Sequence, residues 1–387
     1  MINILYDFQA FTMQSHGGVS RCFVELIKHF SNNIKYQIAI KESDNIYLKN
    51  EFPEMELSPI SYSYDDFLKN VNIKGKHLLY EIYNKYFLHN NSSYNINKLE
   101  SIKLLKSKQY DIFHPTYFDD YFLPYLKGKP FILTIHDMTP ELFPQYFSKY
   151  DYQIRKKKIL ANKAAHIIAV SETTKNDIVN LLHIDKAKIS VIYHGYTALK
   201  SSNVISSRII KEKYILFVGA RNGYKNFKLF IKDISIFLRK HNEYKLVCTG
   251  KSFNSEEKKL LNTYKIEMQV IQIFADDNTM SNLYRNAECF IYPSLYEGFG
   301  LPILEAYAEC CPVLLNYKSC FPEIAKDAAV FFNMDQNTSN LNQVLEEFIF
   351  GNSIDKNSLL NKQTNRLQQF KWDKSAQQLE NIYKSIL

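Results

Sequence analysis

Residues 289–305 read CFIYPSLYEGFGLPILE, an apolar run from Cys289 to Tyr292, a short turn, and then Glu297-Gly298-Phe299-Gly300-Leu301-Pro302-Ile303-Leu304-Glu305. A continuous apolar run suits a strand covered on both faces, as in a parallel sheet. Pro302 is a residue favoured in the first turn of a helix. The stretch therefore predicts strand, glycine loop, helix. Gly298 and Gly300 let the backbone approach a ligand closely, and the new helix offers free N–H groups and the positive end of its dipole. Such a turn suits a diphosphate. Glu305, in the first helical turn, is placed to accept hydrogen bonds from ribose hydroxyls, and Glu297, in the loop, to reach a sugar. The competing reading is a plain strand-to-helix turn whose glutamate suits the dipole.

Similar apolar runs occupy residues 2–6, 131–135, 166–170 and 189–193, then 214–218, 245–248, 269–274, 313–315 and 329–332. Amphipathic stretches such as 21–30, 224–240 and 278–286 lie between them. Alternating strands and helices predict an α/β fold with parallel sheets covered on both faces. The polar, Ser-rich segment 197–213 divides the pattern. A chain of 387 residues suits two domains. The expected division is an N-terminal domain 1–197, a C-terminal domain 198–371 and a terminal helix 372–387. Residues 62–97, rich in Tyr, Asn and Lys, show no clear period; one or two helices and a role in recognition are expected there.

Composition narrows the function classes. Apolar residues make up 46% and charged residues 23%, which excludes a disordered or collagen-like chain. The net charge of +8 is a mild basic excess for this length. It suits a protein that handles phosphates or lies near an anionic surface, and is too diffuse for a dedicated nucleic-acid binder. The six cysteines, at 22, 248, 289, 310, 311 and 320, show no CxxC or metal-ligand spacing and read as reduced core thiols. MINILYDF enters a strand at once with no basic-then-apolar leader, and no apolar run approaches the ~20 residues of a membrane span. A cytoplasmic protein, at most peripheral on the cytoplasmic membrane, is expected.

Further residues stand at predicted strand ends, where open α/β sheets bind ligands. Arg221 and Lys225 in ARNGYKN are expected to converge on a phosphate, the alternative being a solvated basic loop. Gly18, in HGGVSR, lies in a short glycine turn before a helix. His136, in IHD, is placed to hydrogen-bond a substrate; His114 and His194 stand similarly, and each histidine has a structural alternative. There is no HExxH, Walker A loop or GxSxG, and none of the Asp pairs at 65–66, 119–120 and 276–277 forms a DxD. No metal is expected. The basic runs 103–108 and 155–158 read as solvated helix faces, with membrane contact as the alternative.

In order along the chain, YDFQAFTMQSHGGVSR, TIHDMTPELFP, HIIAVSETTKNDI, VIYHGY, ILFVGARNGYKNF, LYRNAECFIYPSLYEGFGLPILEA, FPEIAKDAAVFF and FKWDKSAQQLENIY resemble the retaining glycosyltransferases of family 4, also called group 1, of the GT-B fold. One departure is Cys310-Cys311-Pro312, where many members carry a glycine before the proline.

The resemblance implies two Rossmann-like domains facing across a cleft. The second would hold a nucleotide-sugar donor, GDP- or UDP-linked, bound as substrate without a separate cofactor. The first would hold a glycan or lipid-linked glycan acceptor of surface polysaccharide or lipopolysaccharide synthesis. By the same resemblance, Arg221 and Lys225 would bind the diphosphate, with Gly18 approaching from the other domain. Glu305 would hold the ribose, Glu297 with the amides of Phe299, Gly300 and Leu301 the sugar and phosphate, and His136 the transferred hexose. The helix after Trp372 would cross back to the first domain. A nucleotide-sugar epimerase of the same fold, or a non-catalytic partner in a glycan assembly complex, are the other readings.

Overall fold

The structure is a computed structural model and describes residues 1–387 except 61–66, 69–72, 74, 84–91, 148–151, 199–206 and 222. The apolar runs become parallel strands. In the N-terminal half these are β1 (Ile2–Tyr6), β2 (Ile34–Ile38), β3 (Ile112–His114), β4 (Ile132–Ile135), β5 (His166–Ala169) and β6 (Ile189–Val191). They lie in the order β2-β1-β3 and β4-β5-β6, and a parallel bridge between Phe113 and Phe131 joins the two sets edge to edge. Sequence reading missed β2 and β3. The first, IKYQI, buries only its two ends, as an outer strand does; the second is three residues long.

The C-terminal half builds β7 (Lys213–Phe217), β8 (Tyr244–Thr249), β9 (Val270–Ile273), β10 (Cys289–Tyr292), β11 (Val313–Asn316) and β12 (Val330–Phe332). Their order is β12-β11-β10-β7-β8-β9, all parallel. Read from β9, that is the doubly wound order in which the sheet reverses direction between its first and fourth strands. The reversal falls between β7 and β10, so the loops after these two strands open side by side. Covering helices pack by apolar stripes. Helix Phe227–Lys240 buries Phe230, Ile231, Ile234, Phe237 and Leu238 on one face, each stabilising by about 1.5–3 kcal/mol relative to exposure.

The last helix, Trp372–Ile386, packs on the first sheet. Its Tyr383 hydroxyl lies 2.5 Å from that of Tyr6 and 2.7 Å from His114 Nδ1, and Glu380 accepts hydrogen bonds from Ser31. Past helix Leu301–Ala308, Cys310 takes a left-handed conformation, φ 53°, the helix-ending geometry that glycine adopts without strain. Among the described residues no helix is long and apolar enough to cross a membrane.

Candidate active site

Because β7 pairs directly with β10, the loops bearing Lys225 and Glu297 meet. The Leu295 amide donates to the Tyr224 carbonyl at 2.8 Å and Asn226 Nδ2 to the Pro293 carbonyl at 3.2 Å, tying the two loops together. Lys225 Nζ then lies 2.6 Å from Glu297 Oε1, both side chains mostly buried. Burial works against the ammonium charge, but Glu297, Tyr224 and Asp137 outweigh it and hold Lys225 above its ordinary pKa. Glu297 is itself fixed by Ser319, whose hydroxyl donates to its carbonyl at 2.7 Å and accepts from its amide at 3.1 Å. Gly300, φ 93°, turns the chain into helix Leu301–Ala308 and, lacking a side chain, offers no side-chain cap; Pro302 has no N–H and the Ile303 N–H donates to the Gly300 carbonyl at 2.9 Å, which leaves the Leu301 N–H at the helix start. The loop thus presents an ammonium group and a helix N-terminus together, a pairing that suits an anion.

The N-terminal domain closes over this loop. Ser171 Oγ donates to the Gly298 carbonyl at 2.7 Å. Tyr296 donates its hydroxyl proton to Asp177 at 2.7 Å and accepts from the Met138 amide at 3.2 Å. These contacts bring Gly298 against His136, which follows β4. A Cβ at 298 would collide with the His136 carbonyl. The His136 Nε2 atom is buried and has no hydrogen-bond partner among the described residues. Burial, opposed by Asp137, pushes its pKa down to about 4, so the ring is neutral near pH 7.

On the other side of the loop, Arg21 Nη1 of helix Gly18–Lys28 crosses to Glu305 Oε1 at 3.5 Å. Tyr284 lies 3.2 Å from the other carboxylate oxygen. Burial raises the Glu305 pKa against the pull of Arg21 and Tyr284. Gly18, at the start of the same helix, faces Leu301. The structure therefore gathers Lys225, Glu297, Phe299, Gly300, Leu301, Glu305, Gly18 and His136 at one cleft.

Two side chains are held in ways the sequence did not indicate. The Arg221 guanidinium is gathered by groups of the protein. Its Nε donates to Glu257 at 2.8 Å, its two other nitrogens donate to the Thr249, Lys251 and Ser252 carbonyls, and Phe253 stacks on it at 4.7 Å. The run 155–158 is not a uniformly solvated face. Lys157 is 1% exposed and donates to Glu141 at 2.9 Å and to the Asp137 carbonyl at 3.1 Å, holding the His136 turn from behind.

Lys103, Lys106 and Lys108 are exposed, as read. His114 and His194 are buried, His114 bonded to Tyr383 and Thr134. Much of 62–97, the part of the 197–213 segment at 199–206, and the Asp pair at 65–66 fall outside the described residues. Arg21, Tyr296, Asp177 and Lys157 were missed. Arg21 stood in the HGGVSR motif, but only the fold shows that it crosses to Glu305.

Residues 16–198 match the family described as Glycosyltransferase Family 4, and residues 203–366 match Glycosyl transferases group 1. The O-antigen chain mannosyltransferase RfbU of Salmonella typhimurium is 29% identical over 218 residues, 56% of this chain; the match spans 60% of that relative's own length. O-antigen chain mannosyltransferase B of Escherichia coli is 23% identical over 69% of this chain and 73% of its own. The Anabaena HepE structure, solved with UDP-glucose, superposes with a TM-score of 0.71 at 14% identity, covering both chains fully, a likeness of fold alone. With two GT-B sheets, a cleft between them and these two matches in sequence, the chain belongs to the group 1, family 4 glycosyltransferases.

Proposed function

We propose that the protein transfers a hexose, mannose or a similar sugar, from a nucleotide-diphosphate donor to a hydroxyl of a glycan or lipid-linked glycan, with retained anomeric configuration. The carrying observation is the Lys225–Glu297 pair beside a helix N-terminus without a side-chain cap, on a loop whose Gly298 packs against the carbonyl of His136. The relatives named as O-antigen chain mannosyltransferases support mannose as the sugar and a surface glycan as the setting.

In this reading the donor diphosphate lies against Lys225 and the amides of Phe299, Gly300 and Leu301. Glu305 takes the ribose hydroxyls, exchanging its contact with Arg21 for them. The sugar lies between Glu297 and His136, whose neutral ring hydrogen-bonds a hydroxyl. As the bond from the anomeric carbon to the phosphate oxygen breaks, negative charge grows on the phosphate, where the ammonium and helix dipole stabilise it. The acceptor oxygen bonds to the same face of the carbon, and its proton passes to the departing phosphate oxygen. Lys225 and the helix supply the positive charge for this step, so we propose that it needs no metal. Arg221 serves as an anchor for the loop after β8.

Exposed Lys103, Lys106 and Lys108 offer a basic face to an anionic membrane carrying a lipid-linked acceptor. The test is a calorimetric and thermal-shift screen of GDP, UDP, dTDP and ADP and their sugars, with chelator present. One nucleotide sugar raising the melting temperature, with the effect lost in Glu305→Ala, supports the reading. No shift with any of them removes it.

A further inference from the structure

Helix Gly18–Lys28, the end of β4 and the segment after β6 bring Cys22, His136 and His194 together, and one ligand atom from each lies within 4.8 Å of the others. Cys22 Sγ is 3.3 Å from His194 Nδ1. Cys22 and His194 are buried and His136 is half-buried. From these positions we infer that the three side chains form a binding site for one thiophilic divalent cation of the zinc class, and that its occupation excludes the donor sugar from His136.

The chemistry of the set selects the ion. A thiol and two imidazoles are soft-to-borderline donors that favour zinc, cadmium or cobalt over magnesium and manganese. A tetrahedral ion with one sulfur and two nitrogen ligands needs ligand atoms roughly 3.5 Å apart, from the usual bond lengths. The Cys22–His194 pair already meets that spacing, and the remaining gap closes by about 1 Å. The His136 Nε2 atom, buried without a partner among the described residues, is a second observation that points to a ligand.

Phe299 at 4.8 Å and Trp372 at 5.8 Å from the His194 ring, with Phe23 at 5.8 Å from the His136 ring, wall the site with aromatic carbon. The ion replaces the Cys22 thiol proton, so each ion bound releases one proton to the buffer. Three protein ligands leave a fourth position open. None of the three residues is near another in sequence, so a search by spacing passes over the set.

The competition with donor rests on the proposed role of His136; the ion binding does not. The experiment is a titration of reduced, chelator-treated full-length protein with Co2+, reading the thiolate-to-metal charge-transfer band and the visible bands of a tetrahedral ion. The expected result is one ion per chain, displaced by Zn2+ and unaffected by Mg2+. Cys22→Ser and His194→Gln should each abolish the charge-transfer band or weaken binding at least tenfold, while Cys310→Ser, at the exposed thiol, keeps it. Melting curves confirm that each variant is folded, and Cys22→Ala is the alternative should the serine unfold the protein. A missing band in the folded wild type, or a band that survives Cys22→Ser, overturns the site. Saturating nucleotide sugar should raise the Co2+ concentration needed by tenfold or more. Undiminished binding in its presence keeps the ion site but overturns the exclusion, and with it the placing of the sugar on His136.

Discussion

Gly298 of the second domain lies so close to the carbonyl oxygen of His136 in the first that position 298 has no room for a side chain. Here the loop that carries Glu297 packs directly on the turn that carries His136. Gly298→Ala must therefore push the two apart. A displacement near 1 Å at reacting groups costs on the order of 100-fold in rate. Turnover should fall by that order while the circular dichroism spectrum is unchanged. A variant with normal turnover would show that this closed arrangement is not the reacting one.

Lys225 and Arg221 separate in the structure, and their variants should separate too. Lys225→Ala removes a charge-assisted contact to the departing phosphate, about 1.5–3 kcal/mol, or roughly 10–150-fold in turnover. Arg221→Lys should lose less than tenfold in donor affinity, because its partners are Glu257 and carbonyls. Its effect should appear in thermal stability instead. Calorimetry with the donor, beside melting curves, reads both. Equal losses of donor affinity would return Arg221 to the donor site.

Lys157 and Glu141 form a buried pair behind the His136 turn, 1% and 7% exposed. Lys157→Met leaves Glu141 without its cation, and breaking a buried pair costs about 3–5 kcal/mol. The double variant Lys157→Met/Glu141→Leu should recover most of that stability, since no charge remains buried unpaired. It should not recover full turnover, because the hydrogen bond to the Asp137 carbonyl is gone. Urea denaturation and steady-state kinetics on the same three proteins make the comparison.

His114 gives the fold an acid limit. It is fully buried between Tyr383 and Thr134, with the Tyr6 ring stacked at 5.2 Å. Burial, helped by the nearby His136, pushes its pKa from 6.5 to about 3. The unfolded chain therefore binds a proton between pH 6.5 and 3 that the folded chain refuses. The sign follows: stability is complete above pH 6.5 and falls as pH drops toward 3, by about 1.4 kcal/mol for each unit in that window. His114→Gln should flatten this part of the profile measured by urea midpoint. An unchanged slope would place the acid sensitivity elsewhere.

The sequence alone determined the fold class, the order of most strands, the glycine loop and the carboxylates around it. These are local matters. Apolar runs of strand length, Gly298, Gly300 and Pro302, and the step from β10 into helix Leu301–Ala308 are written in neighbouring residues, and backbone preference reads them directly. β2 and β3 escaped because an outer strand with polar middle residues and a three-residue strand carry too little pattern.

Which charges meet is set by the folded chain. Lys225 finds Glu297 because β7 lies beside β10; Arg21 finds Glu305 because the domains close; Arg221 is claimed by Glu257. Lys157, one cation in a run of basic residues, is buried because its side chain has a carboxylate and a carbonyl waiting inside. Pairings of this kind depend on distance in space and on competition among acceptors. Neither is a property of sequence spacing, which is why Cys22, His136 and His194, far apart along the chain, become neighbours only when it folds.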